Sequence, residues 1–155
     1  MHLIMLALTA LLLRPGHAFA QGLSCGMSVT PLTFGTIDMQ RNAPAETTAT
    51  IEVVCTAISN QPVPVSFSIA WAGAGLNGEL DASGAPLRFR LFLDRGMMLP
   101  FGDGGGAGER LSGTGVASKA LPFRKRFTVY GRASVARQLV RAGVHEAQGR
   151  LVLEF

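Results

Sequence analysis

Cys25 and Cys55 are the only cysteines of the chain, and they are the residues with the most chemistry to offer. In an exported protein an even pair reads as a disulfide. Lipidation of Cys25 is the rival chemistry, and it needs small residues at the two preceding positions and an apolar one before them. Gly22-Leu23-Ser24 fits that poorly, and a lipid on Cys25 would leave Cys55 unpaired. A disulfide is therefore expected, closing a loop of about 30 residues and worth roughly 3.6 kcal/mol in the chain-entropy account.

The other reactive-looking stretches carry less. Residues 94–120 are glycine-rich, with Pro100-Phe101-Gly102-Asp103-Gly104-Gly105-Gly106 at their centre. No Gly-Lys-Ser/Thr follows, so the phosphate-cradle reading has no support. Asp103 and Glu109 lack the spacing of a calcium loop. The stretch reads as a flexible surface loop. His145 is the one histidine beyond the first 20 residues, and a general base needs a positioned partner. No carboxylate pair sits in an apolar setting, and cysteines spent in a disulfide leave no thiolate. The sequence therefore predicts no enzyme, no cofactor and no metal site. Arg124-Lys125-Arg126 sends its side chains to opposite faces of a strand, without the interleaved aromatics that single-stranded nucleic acid requires.

The compartment follows from the N-terminus. Residues 3–13 are apolar except for Thr9, a run too short to cross a bilayer as a helix. Arg14-Pro15-Gly16 breaks it, and Ala18-Phe19-Ala20 supplies a small-x-small cleavage site. Residues 1–20 read as a signal peptide, and residues 21–155 as one exported domain without a transmembrane segment. Cleavage removes Arg14 and leaves 13 Lys plus Arg against 10 Asp plus Glu, a net +3. Eleven of those 13 are Arg, which reads as the signature of a GC-rich genome rather than of a binding surface. No nucleic-acid partner is expected.

These residues sit on short alternating segments. Met27 and Val29 alternate, Pro31 interrupts, and Leu32 and Phe34 resume, which predicts a two-part edge strand beginning at Cys25. Residues 47–56 are β-branched, with Ile51, Val53 and Cys55 on one face. Val63, Val65, Phe67, Ile69 and Trp71 give the clearest central strand, and Leu87, Phe89, Leu91 and Leu93 a second. Residues 72–86 read as loop. Phe123, Lys125, Phe127 and Val129 alternate again, and residues 133–142 hold the only plausible helical turn. About seven short strands predict an all-β fold, an immunoglobulin-like antiparallel β-sandwich.

The last six residues, Arg150-Leu151-Val152-Leu153-Glu154-Phe155, put Leu151, Leu153 and Phe155 on one face of a strand. Chain ends are loose unless tied down. An apolar terminal strand with nothing left to cover its edge invites another strand to pair with it. The domain looks incomplete, lacking its last strand.

So laid out, the sequence resembles the spore coat protein U domain, found in subunits of archaic chaperone–usher pili. The blocks that carry the resemblance stand in order: Cys25 with Leu32-Thr33-Phe34-Gly35, then Ile51-Glu52-Val53-Val54-Cys55. Leu87-Arg88-Phe89-Arg90-Leu91-Phe92, Phe101-Gly102-Asp103-Gly104 and Val129-Tyr130-Gly131-Arg132 follow. Gln138, Ala142-Gly143 and the terminal strand complete the set. The resemblance implies a sandwich with an apolar groove between its first and last strands. A periplasmic chaperone fills that groove, and the next subunit's N-terminal extension later replaces it, by strand addition. Carried over, the groove role falls on Met27, Val29, Leu32, Phe34, Leu151, Leu153 and Phe155. The implied partners are that chaperone, an outer-membrane usher and a neighbouring subunit; the implied route is through the periplasm to the cell surface.

With cleavage after Ala20, only Gln21-Gly22-Leu23-Ser24 precede Cys25. Such a chain can accept a donor strand but not supply one, which places the expected position at the fibre tip. The alternative reading is a self-contained secreted module, binding a ligand or forming a coat layer. The exported chain is predicted to begin at Gln21. Its intact mass checks this, and a mass retaining residues 3–13 would contradict it.

Overall fold

The computed structural model describes residues 22–41, 43–72, 77–80, 87–106, 108–134 and 149–155. Alternation of apolar and polar residues becomes eight strands: β1 (Leu23–Val29), β2 (Ala45–Ala57), β3 (Val63–Trp71), β4 (Asn77–Leu80), β5 (Leu87–Phe92), β6 (Leu111–Ala117), β7 (Phe123–Ala133) and β8 (Leu151–Glu154). A short 3₁₀ turn, Met39–Arg41, sits between β1 and β2. The fold is all-β, and every ladder between these strands is antiparallel. Five strands form one sheet in the order β1-β2-β7-β5-β4, and three form the other in the order β6-β3-β8.

The β2–β7 ladder is the longest, running from Ala45↔Ala133 to Cys55↔Phe123. Both strands are rich in β-branched and aromatic residues, which pack well on a pleated surface. Period two sends Ile51, Val53, Cys55 and Val129 inward, where all four are buried. From the three-stranded sheet Val65, Phe67 and Ile69 meet them. The ring of Phe67 stands edge-on to Phe123 and Phe127 of β7, with centroids 6.2 and 6.1 Å away. This is the sandwich the alternation predicted, with one core between two inner faces.

Four expectations need correction. The first strand does not resume after Pro31; β1 begins at Leu23 and ends at Val29. Thr30 closes the ladder, its N–H donating to the Thr50 carbonyl at 3.0 Å and its hydroxyl accepting from the Thr50 N–H at 2.8 Å. Pro31 then has no N–H to offer, and the chain leaves the sheet. Residues 72–86 are not all loop, because β4 pairs with β5 from Asn77↔Arg90 to Leu80↔Leu87. Ala133 is the last residue of β7, so no helix starts there; residues 135–148, with the rest of that turn and His145, lie outside the described residues, as does the expected leader.

The largest correction concerns residues 94–120, which form an ordered excursion and then a strand. Asp94 anchors its first turn by accepting the Met98 and Leu99 amides at 3.0 and 2.7 Å. Phe101, only 1% exposed, drives its ring into the core. The strand β6 was hidden by its glycines, which ordinarily weaken strands. Gly113 and Gly115 lie on the inner face, opposite Phe67 and Val65. A Cβ at Gly113 would run into the Phe67 ring, and one at Gly115 into Phe123. The bare backbone leaves room for the aromatic rings.

Gly115→Val is therefore expected to lower stability by about 1–3 kcal/mol or more through overpacking. Gly26→Ser, on an open outer face where an added Cβ meets nothing within 4 Å, should stay within about 0.5 kcal/mol. Urea midpoints of the two variants, in the form in which the protein is purified, check the contrast.

Candidate functional site

The two cysteines come together first. β1 pairs with β2 so that Cys25 stands opposite Cys55, and a disulfide joins them across a sequence separation of 30. Cys55 is fully buried and Cys25 half-buried. The bond ties an edge strand to an interior one, which main-chain pairing on a single side would hold less firmly.

Burial then falls off toward that edge. On the inner face of β2, Ile51, Val53 and Cys55 are 2%, 0% and 0% exposed. Their register partners on β1 are Val29, Met27 and Cys25. Met27 and Cys25 are only half-covered, and Val29 is 47% exposed. The three-stranded sheet repeats the pattern. Ile69 of β3 is 0% exposed, while its β8 partner Leu153 and the next inner residue, Leu151, are half-buried. Phe155, just past β8, is 55% exposed. Among the described residues β1 pairs only with β2, and β8 only with β3. Each therefore has a long side with main-chain donors and acceptors unpaired by another strand.

The expected site residues fall into three groups. Met27 and Val29 lie on β1, in the five-stranded sheet; Leu151 and Leu153 lie on β8, in the other. The first and last strands are thus edges of different sheets, one open lip to each sheet, rather than neighbours in one sheet. Leu32 and Phe34 belong to the segment between β1 and β2, half-buried against the core. Their side chains occupy the space above Gly131 of β7, where a Cβ would stand 3.0 Å from Leu32 and 3.2 Å from Phe34. The Phe34 ring reaches Phe89 of β5 at 6.0 Å. Trp71 of β3 reaches the same Phe89 at 6.4 Å, and Leu151 stands opposite Trp71 in the β8 ladder. Phe89 thus links the segment that follows β1 to the start of β8.

Several contributors were not assigned to the site from the sequence. Leu23, Ile37, Trp71 and Phe127 are half-buried apolar residues packed on the same core. Leu23 continues the alternation of Cys25 and Met27, a legible signal masked by its closeness to the expected cleavage site. A polar clamp holds β8 from outside. Arg110 donates to Glu154 at 2.7 Å, and the Ser68 hydroxyl donates to the same carboxylate at 3.4 Å. Trp71 N–H donates to Gly102 O at 3.0 Å, and Ala72 N–H to Arg150 O at 2.8 Å. The 93–110 excursion thereby fixes the direction in which the β8 edge faces.

What these edges offer is main-chain hydrogen bonding flanked by apolar side chains, the requirements of strand addition. Among the described residues no three His, Cys, Asp or Glu side chains gather as a metal site, and no helix is long and apolar enough to cross a membrane.

Comparison with known proteins adds one finding. The family model of the Spore Coat Protein U domain matches residues 17–147, a span that takes in β1 to β7 and stops short of β8. No curated protein matches the chain.

Replacing Cys25 and Cys55 together with Ser is expected to cost about 2–4 kcal/mol, the range typical of disulfide loss. Urea unfolding of the variant beside the oxidised protein measures it. The unreduced chain should weigh two hydrogens less than the reduced one, and two free thiols would contradict the bond.

Proposed function

The chain belongs to the Spore Coat Protein U domain family, and from that premise we propose that it is a structural subunit of a surface pilus built by a chaperone–usher pathway. Its part in assembly is to accept a strand. The observation that supports this reading is the fall in burial from Ile51, Val53 and Ile69 to Met27, Val29, Leu151 and Leu153. An apolar interior left half-covered along two strand edges is costly in water and calls for a partner that brings both hydrogen bonds and side chains.

In this reading a periplasmic chaperone is the first partner. It lays a strand along the β8 edge and alternate side chains between the lips, over Leu151, Leu153, Leu32 and Phe34. An outer-membrane usher then hands the subunit to its neighbour, whose strand takes the same place. The chain passes through the periplasm and ends at the cell surface. Its work is mechanical and adhesive rather than catalytic.

The second reading, a self-contained secreted or coat-layer module, draws on Leu32 and Phe34, which already cover Gly131 and Phe89 from within the chain. The two readings differ in the behaviour of the isolated domain. Under the first it aggregates alone and forms a soluble one-to-one complex with the cognate chaperone. Leu153→Asp should weaken that complex by about a hundredfold or more, because the charge has no partner in the groove. Ile58→Asp, at a 74% exposed apolar residue outside the site, should leave it intact. A soluble, cooperatively folding monomer indifferent to chaperone would establish the second reading instead.

A further inference from the structure

Of the nine arginines among the described residues, which composition alone assigned to genome bias, five share one face. On the five-stranded sheet Arg88 and Arg90 alternate with the buried Leu87 and Phe89 of β5. Arg124, Arg126 and Arg132 share the parity of the exposed side of β7. Register brings the two strands together, with Arg90 directly opposite Arg132. All five face outward on one side of the sandwich. The acidic residues in register with this face are Glu46 and Glu52 of β2, opposite Arg132 and Arg126, and Glu79 of β4, opposite Arg88. The outer face of the other sheet is different. Pro64, Ser66, Ser68 and Ala70 of β3, Ser112, Thr114 and Val116 of β6, and Val152 and Glu154 of β8 form it. Those positions carry no cation at all.

Five arginines against three carboxylates leave the face net cationic even where they pair. Arg126 reaches Glu52 through one Nη at 3.3 Å with its side chain 70% exposed, and Arg132 meets Glu46 at 2.8 Å. Exposed pairs of this kind are worth about 0–1 kcal/mol. Each guanidinium has five N–H donors, so these bonds leave further donors for a second anion. Like charges directly opposite on adjacent strands are destabilising, and the Arg90–Arg132 pair is kept in register despite that cost. From Arg124 to Arg132 the charges span about 26 Å along the strand, with i, i+2 neighbours about 7 Å apart. Two clusters, Arg124 with Arg126 and Arg132 with Arg88 and Arg90, separated along β7 by Thr128 and Tyr130, suit an extended polyanion better than a small ligand.

We propose that the outer face of the β5–β7 pair, through Arg88, Arg90, Arg124, Arg126 and Arg132, binds an acidic polysaccharide bearing carboxylate or sulfate groups. Guanidinium matches both groups in bidentate geometry. Recognition of single-stranded nucleic acid is disfavoured, because stacking needs exposed aromatic rings. On β1, β2, β5 and β7 the outward aromatics are Tyr130 and Phe92, and Phe92 is 6% exposed. The surface lies outside the strand-accepting edges and is independent of their function.

Labelled heparin is the probe, titrated into the full exported chain in whatever complex it is purified, over a range of sodium chloride. Arg124→Gln with Arg126→Gln should weaken binding about tenfold and reduce the salt-dependence slope by about two, as expected when two charge contacts are lost. Arg88→Gln with Arg90→Gln probes the same face from β5, so misfolding of one pair leaves the other decisive. The control, Arg95→Gln with Lys119→Gln, removes the same charge at exposed sites outside β5 and β7 and should stay within about twofold, as a uniform field effect would not. The proposal is overturned if wild type does not bind heparin or if the control pair costs as much as the face variants. It is overturned equally if double-stranded DNA of matched charge binds more tightly than heparin.

Discussion

Three strands cannot cover five. The two sheets share one apolar interior, and their unequal width decides where that interior is sealed and where it is not. At its centre the inner side chains Ile51, Val53, Cys55, Val65, Phe67, Ile69 and Val129 are buried. Elsewhere the chain uses irregular segments as cover: Phe101 from the 93–110 excursion, and Leu32 and Phe34 over the end of β7. Toward β1 and β8 the cover runs out, and side chains as apolar as those in the centre remain half in water. Burial is worth roughly 25 cal/mol per Å² of apolar surface, so a strand arriving there gains from contact as well as from hydrogen bonds.

An open edge serves assembly only if it is held in one shape, since floppy edges pair with anything. Two devices hold it. The Cys25–Cys55 disulfide fastens β1 to the interior strand β2. On the other lip, Arg110 clamps Glu154, while Gly102 and Arg150 fix the main chain around Trp71. The salt bridge is half-exposed and contributes little energy by itself. Its use is geometric: with the backbone bonds it aims β8, so that its unpaired side faces a predictable direction.

Much of this was legible in the residues. Strict alternation in 63–71 and 123–129 gave β3 and β7, and the β-branched run gave β2. The terminal alternation gave β8 as an apolar edge strand. What the sequence concealed has physical causes. Gly113 and Gly115 read as loop because glycine weakens strands in general, whereas here the missing Cβ makes room for Phe67 and Phe123. β4 is short and polar, and its strand character comes from pairing with β5. Leu32 and Phe34 read as a strand by their spacing, but Pro31 and the Thr30–Thr50 bonds release them from the ladder to act as cover. The arginine face was invisible in composition because it requires strand register to bring β5 beside β7.

The central claim is that the far side of β8 receives a strand from another chain. Amide hydrogen exchange, measured residue by residue on the subunit alone and in its assembly complex, tests it most directly. In a strand paired on one side, alternate amides point away from the partner. The account predicts that the β8 amides directed away from β3 exchange fast in the free chain and slowly in the complex, while those of β3 and β6 hardly change. Slow exchange of all β8 amides in the free chain, or a complex that protects only surfaces away from β8, would contradict it.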